Sequence, residues 1–348
     1  MVHVTGNFTS EAPLSTVVSD AIAAALEAGW ADPKKLSQAS IRAKILRNQA
    51  LESLADRLAC RSEEIEVVGE SELATYLCIA GFVDPSRTLA IGAIDRGKIR
   101  AFTRTHSDHV IIPVNQQGAL LADAIPAKSL LTLQVANGET GITQDVDELS
   151  EKAELVVLDA TVSAPRRELG ESWDGAIFTA TSWGGPSGLS LMAIRNPARW
   201  RYPLPHLAPI RTPGGYSIPL LLGAAVALEN FHEDFEKITS LNLYLRKQIA
   251  EKLKDSYVVG EIESSLAHLA TVVIPGGISE MFIRELEALS ISIDAGSACS
   301  PMDLTPSHVL AAMGLPTEGS IRLTLREEHS EADIDALVSA LVKVRSDL

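Results

Sequence analysis

The sequence predicts an α/β protein: a large domain built on a mostly parallel sheet, with a smaller α+β domain after it. Three observations carry this expectation. Seven short apolar runs, at 65–68, 88–94, 109–114, 130–136, 154–158, 175–179 and 189–194, are separated in several places by segments of helical period. That alternation belongs to a sheet covered by helices on both faces. One run closes on Asp159, and the next ends in a loop of small residues, TATSWGGPSG. An α/β protein builds a ligand site in this way, at the carboxyl ends of neighbouring strands. After about residue 255 the long alternation gives way to shorter strands and helices. A chain of 348 residues has length for two domains. The expected division is 14–232 for the large domain, with 1–13 and 233–348 forming the small one.

In chain order, Ser15–Glu27 reads as a helix, with Ser15 as its cap and Gly29 as its stop. Ser37–Cys60 reads as a long amphipathic helix with Ile41, Ile45, Ala50, Leu54 and Leu58 on its apolar face. Ser71–Ala80 is a further helix, opening directly after the first strand. A long helical region spans Ile218 to Asp255, interrupted near Glu229–Glu233. Beyond it the expected elements are strands at 256–260 and 269–274, a helix at 279–289 and a strand at 291–294. A loop, a helix at 305–313, a strand at 320–325 and a helix at 330–345 complete the chain. The proline-rich piece RYPLPHLAPIRTPGGYSIP, 201–219, reads as an ordered loop beside the site.

Composition excludes some functions. With 30 Lys and Arg against 45 Asp and Glu, net charge is −15. Nucleic acid and anionic membrane are therefore poor candidates as partners, because both need a basic footprint. The start, MVHVTGNFTSEAP, has no basic residues leading into an apolar run, and no secretory signal is read there. The apolar stretch IPLLLGAAVAL is too short to span a bilayer. Three cysteines, Cys60, Cys78 and Cys299, are widely spaced with no CxxC, which fits a reduced, cytoplasmic compartment. No His/Cys/Glu cluster has metal-site spacing, so no metal is expected.

The strongest local signal is AGSACSPMDLTPSHVLAAMG followed by SIRLTLR. It places Cys299 among small residues in a loop after a strand, accessible as a nucleophilic thiol must be. It then opens a helix at Thr305-Pro306 and puts Arg322 on a strand, where a guanidinium can grip a carboxylate with two parallel hydrogen bonds. A half-buried structural cysteine and a surface arginine are the plainer alternative.

This segment resembles the catalytic-cysteine segment of the cysteine desulfurases, within the class V aminotransferase group of pyridoxal-phosphate enzymes. Other segments resemble the same family in the same order. VANGETGITQDVDEL is similar to its Asn-Asn-Glu-x-Gly segment, VVLDATVSA to its Asp-Ala-x-Gln strand end, and FTATSWGGPSG to its Ser-x-His-Lys-x-x-Gly-Pro-x-Gly loop. GESEL is similar to its phosphate turn, SDH at 107–109 to its Thr-Glu-His, and NFTSEAP to its Ala-Ala-Thr-Thr-x-Pro. The resemblance covers essentially the whole chain. It implies the type I fold of pyridoxal-phosphate-dependent transferases and a homodimer with its site at the subunit interface.

Position by position, the resemblance gives Asp159 the task of keeping a proton on the cofactor's pyridine nitrogen, which makes the ring an electron sink. A capping Asp at a strand end is the alternative. His109 matches the ring that stacks on the cofactor, or is an ordinary loop histidine. Ser71 matches a phosphate contact, together with backbone N–H groups of its helix; a plain N-cap is compatible. Asn137 is what remains of the Asn pair, and Thr179 stands at the first position of the Ser-x-His-Lys loop.

The departures all point one way. Ser182 stands where the family has the lysine that forms an imine with the cofactor, and an alcohol cannot form one. Thr181 replaces the preceding His, Val162 the Gln, and Gly138 one Asn. Glu70 enters the phosphate turn, where a carboxylate about 4 Å from a phosphate charge costs roughly 1 kcal/mol in water and about 4 kcal/mol at an effective dielectric of 20. Arg211-Thr212-Pro213-Gly214-Gly215 stands in place of the Arg-Ser-Gly-Thr loop. Lys98, Lys128 and Lys152 lie in segments with no motif that brings them to the site.

The first expectation is thus a desulfurase homologue that is inactive or very weak. It would bind a small amino-acid-like ligand, act as a scaffold, or accept sulfur from a transfer partner on Cys299, which should be the most reactive of the three thiols. The alternative is an active enzyme holding pyridoxal phosphate without a covalent bond; the cofactor is then at most non-covalent, or absent. New chemistry using Cys299 as nucleophile and Arg322 as clamp ranks last, because no general base is visible.

Overall fold

The structure, a computed structural model, describes residues 6–206, 215–295 and 306–346. Cys299, Thr305 and the 211–214 part of the loop lie outside the described residues.

Two helices open the chain. α1 (Thr16–Ala28) is capped by Ser15, whose hydroxyl accepts from Val18 N–H, and Gly29 ends it. α2 (Gln38–Arg57) is capped by Ser37 in the same way, through Ser40 N–H. The large sheet follows: β1 (Ile65–Val68), α3 (Ser71–Ala80), β2 (Thr88–Gly92), α4 (Gly97–Arg100), β3 (His109–Ile112), β4 (Ser129–Gln134), α5 (Val146–Ser150), β5 (Leu155–Asp159), β6 (Gly175–Thr179) and β7 (Ser190–Ile194). α6 (Ile218–Glu229) and α7 (Phe235–Lys252) split the long helical region, and the Asp234 carboxylate restarts it by accepting from Lys237 N–H. β8 (Tyr257–Val258), β9 (Leu269–Val273), α8 (Ser279–Ala288), β10 (Asp294–Ala295), α9 (His308–Ala312), β11 (Ser320–Thr324) and α10 (Glu331–Ser346) complete the chain.

The seven-stranded sheet has the order β1-β7-β6-β5-β4-β2-β3, and a second sheet the order β10-β11-β9-β8. Strands β3, β2, β4, β5 and β6 run parallel. β7 is antiparallel to both β6 and β1. Two reversals return β1 to the direction of β6, so the turn after Val68 lies at the same edge as the ends of β2, β4, β5 and β6. Strands β4, β5 and β7 are buried along their length, which is why they read as unbroken apolar runs rather than alternations.

Two elements differ from expectation for local reasons. The strand expected at 291–294 is pulled apart, because Ser292 pairs with the N-terminal segment through Ser292 N–H to Gly6 O and Phe8 N–H to Ser292 O, both 2.8 Å. Among the described residues of this strand, Asp294 and Ala295 pair with β11. The helix expected over 305–313 is assigned from His308, where the Ser307 hydroxyl caps it by accepting from Leu310 N–H at 3.1 Å. Phe8 is fully buried in the core beside β9 and β11 and stacks on His329 with ring centroids 4.3 Å apart. Among the described residues no helix is long and apolar enough to cross a membrane.

Candidate functional site

The carboxyl edge of the large sheet gathers one polar network. Asp159, the last residue of β5, is 2% exposed. Its Oδ2 accepts from Arg96 Nε at 2.6 Å. Its Oδ1 accepts from the Thr161 hydroxyl at 2.6 Å and from Thr161 N–H at 3.1 Å. Arg96, just past the end of β2, also donates from Nη2 to the Thr75 hydroxyl at 3.3 Å, and Thr75 donates on to Ser71 O at 3.0 Å. Thr179, ending β6, donates to Thr161 O at 2.9 Å, and Ser182 donates to Thr179 O at 2.9 Å. The Ser182 carbonyl accepts from Arg166, whose guanidinium is forked on Glu233 at 2.8–3.0 Å.

At the turn after β1, Glu70 caps α3. Its two oxygens accept from Glu72 N–H at 2.8 Å and Leu73 N–H at 2.7 Å. Ser71 is therefore the first helical residue and not the cap, because a carboxylate one position earlier takes the free N–H groups. Partial burial opposes ionisation of Glu70, but these N–H bonds and the charge of Lys98 hold its carboxyl below the usual range. Lys98, not expected near the site, comes to this turn and pairs with Glu72 at 2.5 Å.

Asn137 is buried and fully engaged. Its amide donates to Ile94 O and Gln134 Oε1, both at 3.0 Å, and its oxygen accepts from Glu139 N–H, Thr140 N–H and the Thr140 hydroxyl. It shapes the 137–141 turn and has no amide proton left for a ligand.

That turn meets the second sheet. Glu139 accepts from the Ser307 hydroxyl at 2.6 Å, and its carbonyl accepts from Thr271. Arg322, on β11, leans toward Gly138 O with Nη1 at 3.5 Å, while its buried Nε has no partner among the described residues. His308 Nε2 lies 2.9 Å from Asp95 O. Asp95 is wholly buried; Oδ2 accepts from Gly92 N–H and the Thr132 hydroxyl, and Oδ1 has no partner among the described residues. Burial pushes the Asp95 carboxyl up to about 7, helped by the nearby Asp159 charge and opposed by its hydrogen bonds and Arg96. Burial likewise raises Glu139 to about 7, against the pull of Ser307 and Arg322.

Asp95 gives a pH prediction. Its folded pKa lies above its unfolded value, so the folded state holds the extra proton and stability is lost as pH rises from about 4 to about 7. The ordinary value is 3.8. At about 1.4 kcal/mol per unit, the loss is a few kcal/mol. Asp95→Asn removes it. Wild-type stability relative to this variant, from urea melts at pH 5 and pH 8, is expected to fall with rising pH; a constant difference would contradict the buried-acid reading. Comparison with the variant largely cancels the opposing contributions of His268 and His329, whose pKa values burial lowers.

The structure brings Asp159, Ser71, Asn137, Thr179 and Ser182 to one edge and sets Arg322 across the seam. It does not bring His109. That residue begins β3, paired with Leu89 near the start of the parallel β2, at the opposite edge of the sheet. It is tied to His106 O at 2.6 Å. The stacking position expected of His109 is corrected by this placement: the residues at the right strand end are Asp95 and Arg96. Cys299 lies outside the described residues. Burial pushes the Cys60 thiol up to about 12 and the Cys78 thiol higher still, leaving both unsuited to react near neutral pH.

No family model matches the chain. In sequence it is similar to curated cysteine desulfurases. It is 28% identical over 254 residues to that of Nostoc sp., covering 67% of this chain and 64% of the relative. It is 30% identical over 257 residues to cysteine desulfurase IscS 1 of Archaeoglobus fulgidus, covering 66% and 65%. These matches span just under two thirds of the relatives' own length. A match to the IscS of Dictyoglomus turgidum reaches 97% of this chain and 93% of the relative at 22% identity. Among solved structures, a NifS-like protein superposes with TM-score 0.86 at 20% identity over 98% of this chain and 99% of that one. An apo cysteine desulfurase from Thermococcus onnurineus gives 0.82 at 15%, over 98% and 95%. These structural likenesses establish the type I fold.

Pyridoxal phosphate asks of such an edge an amine for its aldehyde, a carboxylate for its ring N–H, and donors for its phosphate. Here the residue on the loop is Ser182, the Asp159 carboxylate already holds Arg96 and Thr161, and Glu70 occupies the helix N–H groups. Asn137 is saturated. The residues present do not fit the cofactor.

Proposed function

We propose, for a chain homologous in sequence and in fold to the cysteine desulfurases, that it does not turn over cysteine and instead serves as a binding or sulfur-accepting partner. Ser182 carries this reading. It sits on the loop after β6 with its hydroxyl on Thr179 O, where the family has the imine-forming lysine, and an alcohol forms no imine. The surrounding bonds support it, since Asp159, Asn137, Thr179 and the first N–H groups of α3 are all bonded within the chain. The accepting group is Cys299: its thiolate attacks the outer sulfur of a donor persulfide, the donor's S–S bond breaks, and the donor leaves as a thiolate. Homodimer formation through this edge belongs to the same proposal, as does the division of the chain at about residue 233.

An absorbance spectrum of the purified protein tests it, recorded with added pyridoxal phosphate, after desalting, and again with L-cysteine. The expected spectrum after desalting shows no cofactor. A retained band that shifts when cysteine is added would restore the enzyme reading.

A further inference from the structure

The geometry points to a site that supplies its own occupants: Glu70 stands in for the cofactor's phosphate, and Arg96 for its protonated ring nitrogen. The inference rests on the reading that the chain does not use pyridoxal phosphate, and it says how the emptied site is held together.

Two separate observations carry it. At one end, a helix of 10 residues opens after β1 with the turn Gly69-Glu70-Ser71. A phosphate would accept from the first N–H groups of that helix. Both oxygens of Glu70 accept from two of them instead, at 2.8 and 2.7 Å. Glu70 has extended backbone, φ −152° and ψ 133°, so the side chain folds over its own helix without strain. At the other end, Asp159 Oδ2 is an acceptor that a ring N–H would use, and it accepts from a cationic N–H at 2.6 Å. Arg96 is held there by a second bond, to Thr75, from the first turns of the same α3. An anion thus replaces an anion and a cation replaces a cation, at two places joined by α3, whose first N–H groups hold Glu70 and whose Thr75 holds Arg96.

The arrangement has a physical reason. Without the cofactor, Asp159 would be a buried carboxylate with only Thr161 to satisfy it, and α3 would end in open N–H groups. Two side chains, from the turns after β1 and β2, remove both costs. They also exclude small phosphates, since an entering anion must displace a carboxylate and meet its charge.

Calorimetric titration of the full chain tests this with two probes, inorganic phosphate and pyridoxamine 5′-phosphate, which carries no aldehyde and so does not react with Lys98. In Glu70→Ser the hydroxyl keeps the cap and the charge is gone. Both probes are expected to bind at least about tenfold more tightly than to wild type, from the repulsion removed. They should bind about equally, because Arg96 still fills the ring's place. Glu70→Ser no tighter than wild type would overturn the Glu70 assignment. A strong preference of Glu70→Ser for pyridoxamine phosphate over phosphate would overturn the Arg96 assignment. Failure of the underlying reading looks different: wild type itself would then bind pyridoxamine phosphate tightly.

Discussion

Arg96→Ala is expected to destabilise the protein by about 3–5 kcal/mol, because it leaves a buried carboxylate without its cation. The Asp159 side chain is 1% exposed and cannot turn to water. Its remaining partner, Thr161, bonds the other oxygen. Arg96→Lys does not repair the loss, since one ammonium on a flexible stem cannot reproduce a planar fork shared between Asp159 and Thr75. Arg96→Ala with Asp159→Asn removes both charges, and the double variant should be more stable than Arg96→Ala alone. Urea melts of the four proteins of this cycle give the coupling energy. A loss of less than about 1 kcal/mol for Arg96→Ala would show that the pair is not what satisfies Asp159.

The sequence shows Asp159 and hides Arg96, although the two touch. Asp159 closes an apolar run whose last residue is also the last of its strand, so charge and strand end coincide. β2 stops at Gly92, but Ala93 and Ile94 prolong the apolar run. Ile94 packs in a separate cluster with Ile142, Val259 and Leu310 at the seam between the two sheets. Asp95 and Arg96 therefore follow an apolar run that outlasts its strand, and the sequence does not mark them as lying at the strand's approach to the site. The motif SDH points instead to His109, where the chain has already crossed to the other edge.

The strands themselves are legible because burial on both faces leaves no choice of residue type, and the first two helices because Ser15 caps one where expected and Ser37 opens the other; the Asp234 cap that restarts the long helical region is not read from the sequence. What pairs across the seam is not legible. Glu139 meets Ser307 across 168 residues and Arg166 meets Glu233 across 67. Those partners are chosen by topology, and no local pattern distinguishes them from solvated charges. Glu70 shows the opposite error. Its charge reads as hostile to phosphate, but its geometry, bonded to the N–H groups of its own helix, needs the backbone.

Arg166→Ala is expected to cost about 3–5 kcal/mol as well, and to loosen the loop that carries Ser182. Arg166 and Glu233 side chains are 11% and 10% exposed, and the pair makes three hydrogen bonds. The guanidinium also lies 4.9 Å from the centre of the Phe231 ring and donates to Ser182 O. Truncation strands Glu233 in a low-dielectric pocket and releases the Ser182 carbonyl at the same time. Arg166→Met with Glu233→Leu replaces the pair with apolar volume and should recover much of the stability. It cannot recover the bond to Ser182. Hydrogen exchange separates the two effects. Gly184 N–H and Gly185 N–H bond to Thr181 O and Ala180 O across the Ser182 turn. They should exchange faster in the apolar double variant than in wild type even when its global stability is restored. Unchanged protection there would mean that the tight turn holds itself, with Gly184 at φ +76° as its hinge, and that Arg166 acts only as a brace between the α6–α7 linker and the loop after β5.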